Sequence, residues 1–258
     1  MSPALSEGER QALYRYVLRL GDLSLVLGQR LGEWVGHSPA LEEDLGMANI
    51  ALDMIGQARL LLSYAAEVEA KGRDEDQIAY LRDQSGYLNA VLVEQPNGDF
   101  GQTIIRQVLI DAFQLELYQR MTDSADSRLA AIAAKSVKEV RYHLRYSSGW
   151  LVRLGDGTEE SRSRVQSALE LLWPYTVELF ADDELDRTMA ALGIAPRLSD
   201  VQAAWDRRID EILSEATLQR PKDRPYAWHG KRGQHSEHLG YILAEMQHLQ
   251  RAYPGARW

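Results

Sequence analysis

Six histidines and 38 acidic residues are the metal-binding side chains of this 258-residue chain, which has no cysteine. That excludes disulfides, thiolate catalysis, cysteine-ligated zinc and iron–sulfur clusters together. A di-metal carboxylate centre inside a helical bundle needs one carboxylate from each of two helices and a Glu-x-x-His pair from each of two others, so that bridging carboxylates hold two cations close and leave positions open for oxygen. One literal Glu-x-x-His occurs, Glu245 to His248. With no second copy to complete a centre, it reads as two exposed side chains on a surface helix. His143 follows Glu139 by four residues, and the position three before it, where a paired carboxylate would stand, is Val140. Glu139 could still approach the imidazole, since residues four apart share a helical face, or His143 could be a hydrogen-bonded structural histidine. Asp111 sits between Ile110 and Ala112 and, if buried, needs a partner such as an Arg or a His from a facing helix.

A second group lies near the C-terminus, where His229, His235 and His238 flank Lys231 and Arg232, which stand between Gly230 and Gly233. His235 and His238 are three apart at a helix start and could share a metal. The basic pair could meet a phosphate, dock against a neighbouring subunit or cap the helix. No phosphate loop or nucleophile elbow is present, and Gly155-Asp156-Gly157 lacks the further glycine and preceding strand of a dinucleotide fingerprint.

The elements that would position these residues are helices. Leu13, Val17, Leu20, Leu23, Leu27, Leu31 and Trp34 recur at steps of three and four, predicting a helix from about residue 7 to 34 with a Ser6/Glu9 cap. Ser38-Pro39 predicts the start of a second helix that runs to about Val68, apolar on nearly every side except for Asn49, Asp53 and Gln57. Further helices are expected near 102–121, 127–154, 160–180, 183–192, 199–217 and 235–251, with an ordered loop at 91–100 and a Pro- and Gly-rich loop at 219–234. The class is all-α. Four long helices with a crossover between the second and third suggest a single ferritin-like domain, its core bundle at about 7–154 and its C-terminal helices at about 160–251.

Composition narrows the function classes. With 29 basic against 38 acidic residues the formal charge is −9, which gives no general attraction to nucleic acid or anionic membranes. The 45% hydrophobic content supports a sizeable core, no apolar run reaches membrane-spanning length, and the first residues lack the order of a signal peptide. A soluble, cytoplasmic protein is expected.

Four runs carry a resemblance: GQRLGEWVGHSPALEEDLGMANIALDMIGQARLLLSYAAE, LVEQPNGDF, AAKSVKEVRYHLR and GKRGQHSEHLGYILAEMQHLQR. Over nearly the whole chain the sequence resembles the C subunits of bacterial phenylacetyl-CoA epoxidases, also called ring-1,2-epoxidases. The resemblance implies a ferritin-like subunit that pairs with a catalytic di-iron A subunit and other epoxidase subunits in phenylacetate catabolism. That multicomponent monooxygenase epoxidises the aromatic ring of phenylacetyl-CoA with O2 and reducing equivalents from a separate reductase.

The A subunits carry the metal pattern on a similar fold, so their motif can be laid on this chain with Trp34, Asp53 and Lys138-Glu139 as anchors. Ser24 then takes the first-helix carboxylate, Met54 and Gln57 the first Glu and His, Asp111 the third-helix carboxylate, and Val140 and His143 the second Glu and His. By this resemblance the site is vestigial, with Asp111 and His143 expected as a mutual hydrogen-bonded pair and Gln57 as a further polar partner. It implies a non-catalytic structural and assembly subunit without a cofactor of its own. Lys231 and Arg232 become candidates for docking or for contacting CoA phosphates at a subunit interface. The rival reading is a self-sufficient metal-dependent ferritin-like oxidase or iron-handling protein that uses Asp111, Glu139 and His143, or the Glu245/His248 and His235/His238 groups.

Overall fold

A computed structural model describes residues 5–224 and 229–256. Eleven α-helices are present among them: α1 Glu7–Trp34, α2 Leu41–Glu69, α3 Glu75–Tyr80, α4 Phe100–Met121, α5 Ser127–Gly155, α6 Glu159–Leu172, α7 Val177–Phe180, α8 Glu184–Ala191, α9 Leu198–Glu215, α10 Glu237–Met246 and α11 His248–Ala252. No strand forms among the described residues, so the all-α expectation is met. None of these helices is long and apolar enough to cross a membrane. The chain divides into two compact units, residues 1–96 with 228–258 and residues 97–227.

Local chemistry sets the helix starts. Ser6 and Glu9 form the expected capping box on α1, Asp74 and Gln77 one on α3, and Thr158 and Ser161 one on α6, while Asp99 and Asp126 cap α4 and α5. The second helix departs from expectation. It starts at Leu41 rather than at Ser38-Pro39, because the Ser38 hydroxyl accepts the Trp34 indole N–H at 2.8 Å and is thereby taken from capping.

In the first unit α1 and α2 pack antiparallel. Gly21 lies against Leu61 and Leu62, and Gly28, two turns later, against Met54 and Ile55. Residues 16–28 of α1 are buried without a break, so α1 is the helix enclosed on all sides. α2 is not. Leu41, Leu45 and Leu52, at steps of four and seven, are 70%, 56% and 69% exposed, Asn49 is exposed, Asp53 is half-buried and Gln57 is fully buried. The segment after α3 is tied to α1 at two places. The Arg82 guanidinium forks onto the Asp22 carboxylate, which also accepts the Leu88 amide N–H at 2.9 Å, and Arg30 donates through Nε at 3.0 Å and Nη2 at 2.6 Å to the Glu94 carbonyl.

The last helix, expected to run unbroken through 235–251, is divided between α10 and α11 at Gln247. The Gln247 side chain turns inward and donates to the carbonyls of Ala79 at 3.1 Å and Arg82 at 3.0 Å.

In the second unit α4 and α5 are antiparallel, with Phe100 edge-on to Trp150 at 5.3 Å and Asp111 bonded to Ser147 at 2.8 Å. α9 is fixed on α4 by the Trp205 indole N–H donating to the Leu109 carbonyl at 3.0 Å and by Arg208 donating to Glu116. Trp173, Trp205, Phe180 and Phe113 stack in an aromatic cluster beside them.

Candidate functional site

All six positions of the di-metal pattern are fully buried in the fold. Ser24 on α1 and Met54 and Gln57 on α2 belong to the first unit; Asp111 on α4 and Val140 and His143 on α5 belong to the second. Burial removes water from each of them, so their donor chemistry decides what they can hold. Met54 and Val140 offer no oxygen or nitrogen, and Ser24 is too short to bridge two cations.

Asp111 is already engaged. One carboxyl oxygen accepts Gln107 Nε2 at 2.6 Å, from one turn earlier on α4, and the other is 2.8 Å from Ser147 Oγ on α5. These partners replace the expected Asp111–His143 pair. His143 lies one turn before Ser147 on α5, and the α4/α5 register brings Ser147 rather than His143 to the carboxyl group. Complete desolvation, only partly offset by the Ser147 and Gln107 hydrogen bonds, pushes the Asp111 carboxyl from 3.8 up to about 8. At neutral pH the group is mostly a neutral acid. It can then donate its proton to Ser147 Oγ, which has the Leu144 carbonyl at 3.4 Å as its own acceptor.

This donor set does not fit a di-iron centre. Met54 and Val140 carry no metal-binding atom suited to bridging two irons, and the Asp111 carboxyl is committed to Gln107 and Ser147. Among the described residues no group of three or more His, Asp or Glu side chains is arranged to hold a metal ion. Glu139 pairs with Lys135 at 2.9 Å on the surface of α5. Glu245 and His248 are both exposed, on α10 and α11, as their surface reading expected.

The C-terminal basic loop is built tightly. Gly230 passes so close to the Asn89 carbonyl that a Cβ there would stand 2.3 Å from the oxygen, and Gly233 adopts φ +83° against Ser85. Lys231 is buried, and its carbonyl accepts from Arg19 Nη2 at 3.2 Å; Arg232 is exposed. His235 is not placed as a metal ligand with His238. It is buried, with Nδ1 2.6 Å from Glu94 Oε1 and Nε2 2.8 Å from the Tyr87 carbonyl oxygen. The other Glu94 oxygen accepts the Ser236 amide N–H at 2.9 Å and the Ser236 hydroxyl at 2.6 Å, and Asn89 Nδ2 donates to Oε1 at 2.9 Å.

Sequence reasoning missed Glu94, Ser147 and Gln107. Only Gln107 carried a local signal, its spacing of four from Asp111.

Residues 2–258 match the family described as phenylacetic acid catabolic protein. Over 246 residues the chain is 53% identical to the C subunit of the 1,2-phenylacetyl-CoA epoxidase of Escherichia coli strain K12, covering 95% of this chain and 99% of that protein. The family is ferritin-like, in keeping with the all-α architecture. With the match running almost from end to end, this chain belongs to the phenylacetic acid catabolic protein family.

Proposed function

We propose that this chain is a non-catalytic structural and assembly subunit of a phenylacetyl-CoA 1,2-epoxidase, supporting a separate di-iron catalytic A subunit. The observation that carries this reading is the donor set of the buried positions: Ser24, Met54 and Val140 stand where carboxylates would have to bridge two irons, and Asp111 is taken by Gln107 and Ser147. A helix whose apolar residues outnumber the neighbours its own chain supplies also supports an assembly role. Leu41, Leu45 and Leu52 give α2 such a face. Similarity to an epoxidase component over 95% of the chain supports the identity of the complex.

In this role the chain holds shape rather than electrons. It would allow the A subunit to adopt its active form and help to frame the entrance for the CoA thioester. Exposure of Arg232 at the tight Gly230–Gly233 turn supports assigning it, rather than Lys231, to contact with a CoA phosphate or a partner. Lys231 serves the loop itself.

Reconstitution tests the reading. The A subunit and the reductase components should turn over phenylacetyl-CoA efficiently only when this chain is added. Full turnover in its absence, or turnover by this chain with the reductase alone, would overturn it.

A further inference from the structure

The outward face of α5 departs from the charge of the rest of the chain. Between Ser127 and Gly155 there are six basic residues, Arg128, Lys135, Lys138, Arg141, Arg145 and Arg153, and one acid, Glu139, in a protein of net charge −9. Lys138, Arg141, Tyr142, Arg145 and Arg153 fall on one side of the helix and are all exposed. Gly149 lies in the same stripe, and a Cβ there would meet nothing within 4 Å.

Solvated helix faces ordinarily interleave opposite charges at steps of three and four. α9 of the same unit does so, with Arg207 and Arg208 set among Asp200, Asp206, Asp210, Glu211 and Glu215. On α5 the one acid, Glu139, pairs with Lys135. Among the described residues Lys138, Arg141, Arg145 and Arg153 form no salt bridge. Two of the arginines are instead held by aromatic rings: Arg145 lies over Tyr142 at 5.5 Å and Arg153 over Trp150 at 5.0 Å. Such stacking lowers the entropy lost when a long side chain is fixed, and arginine with tyrosine or tryptophan is the composition found at protein interface centres.

We propose that this face of α5 is a docking surface for the acidic face of another protein subunit, an inference that rests on the assembly reading above. The stripe from Lys138 to Arg153 is about 23 Å long, the scale of one helix laid across a partner. Because the surrounding chain is acidic, an anionic partner is repelled elsewhere and drawn to this side, so charge selects orientation as well as partner. An extended polyanion such as nucleic acid is disfavoured by the net charge of −9 on the chain that carries this single narrow stripe.

The test uses the full chain and the other epoxidase subunits, purified together without it, with binding followed by analytical ultracentrifugation at low and high salt. Lys138→Glu/Arg141→Glu/Arg145→Glu should weaken binding at least about tenfold at low ionic strength, an effect that shrinks at high salt. The milder Lys138→Gln/Arg141→Gln/Arg145→Gln set should give a smaller loss in the same direction, which guards against misfolding of the reversal. An equal charge change on another face, Arg187→Glu/Arg197→Glu/Arg207→Glu, should bind as the wild type does.

If the wild type binds and the α5 sets bind equally well, the docking surface is refuted and the assembly reading survives. Failure of the wild type to bind would overturn both. Capture of a 20-base-pair DNA or of phosphatidylserine vesicles at physiological salt, lost in the α5 variants while subunit binding is unchanged, would reassign the face and refute the proposal.

Discussion

Glu94 and His235, 141 residues apart in the chain, meet at 2.6 Å in a fully buried pair that joins the C-terminal loop to the segment following α3. The Tyr87 carbonyl can only accept, so His235 Nε2 carries a hydrogen and Nδ1 is the atom turned to the Glu94 carboxyl group. Ser236 and Asn89 donate to the remaining lone pairs of Glu94, and Arg30 holds its backbone carbonyl. Through its carbonyl and its side chain, Glu94 thus gathers α1, the central loop and the start of α10.

Glu94→Gln is expected to cost about 3 kcal/mol, the scale of breaking a buried charge pair from one side. An amide nitrogen would face donors on whichever side it was placed. Urea unfolding measures this through the shift in midpoint at unchanged slope, and limited proteolysis should show faster cleavage within 229–236. Unchanged stability would show that the pair is not holding the loop.

Asp111 predicts a pH dependence. Its folded carboxyl is raised to about 8 from 3.8, so between about pH 4 and pH 8 the native chain keeps a proton that the unfolded chain releases. The stabilisation is therefore complete below about pH 4 and is lost as pH rises through about 8, a change on the order of several kcal/mol across the window. Asp111→Asn keeps the geometry, since its oxygen can accept from Gln107 and its NH2 can donate to Ser147. It should lose this term, so Tm of the variant should rise relative to wild type between pH 5 and pH 8.5, a difference that thermal scans in matched buffers will resolve.

Two glycines should respond in opposite directions. Gly230→Ala would force a Cβ to 2.3 Å from the Asn89 carbonyl, and a loss of roughly 1–3 kcal/mol is expected from the displaced loop. Gly149→Ala, in the middle of α5 with open space at its Cβ, should gain about 0.5–1 kcal/mol from helix propensity. Denaturation of both variants beside the wild type checks the pair.

Much of the helical plan was legible because it rests on local chemistry. The Ser6/Glu9 cap, the leucine steps of α1 and the α5 helix expected at 127–154 and found at Ser127–Gly155 all follow from neighbours within a few turns. What escaped depended on distant partners. Ser38 resembled a cap, but its hydroxyl was claimed by Trp34; Gln247 divides the last helix because its acceptors, Ala79 and Arg82, lie more than 160 residues away. The composition of α2 predicted a helix buried on nearly every side apart from Asn49, Asp53 and Gln57, yet Leu52 remains exposed together with Leu41 and Leu45 before it, because sequence records how apolar a face is and not which chain covers it.

The candidate site divides along the same line. That Met54 and Val140 lack carboxylates is plain in the sequence, whereas the choice of Ser147 over His143 as the partner of Asp111 depends on how α4 and α5 are staggered. Lys231 likewise looked available beside Arg232 until the fold buried it next to Arg19.

On the function proposed above, this chain should hold no di-iron centre of its own. Elemental analysis of the full chain, expressed alone in iron-replete medium and purified without chelators, tests it most directly. The account predicts iron far below one atom per chain, unchanged in Asp111→Asn. About two irons per chain, lost on that substitution, would contradict it.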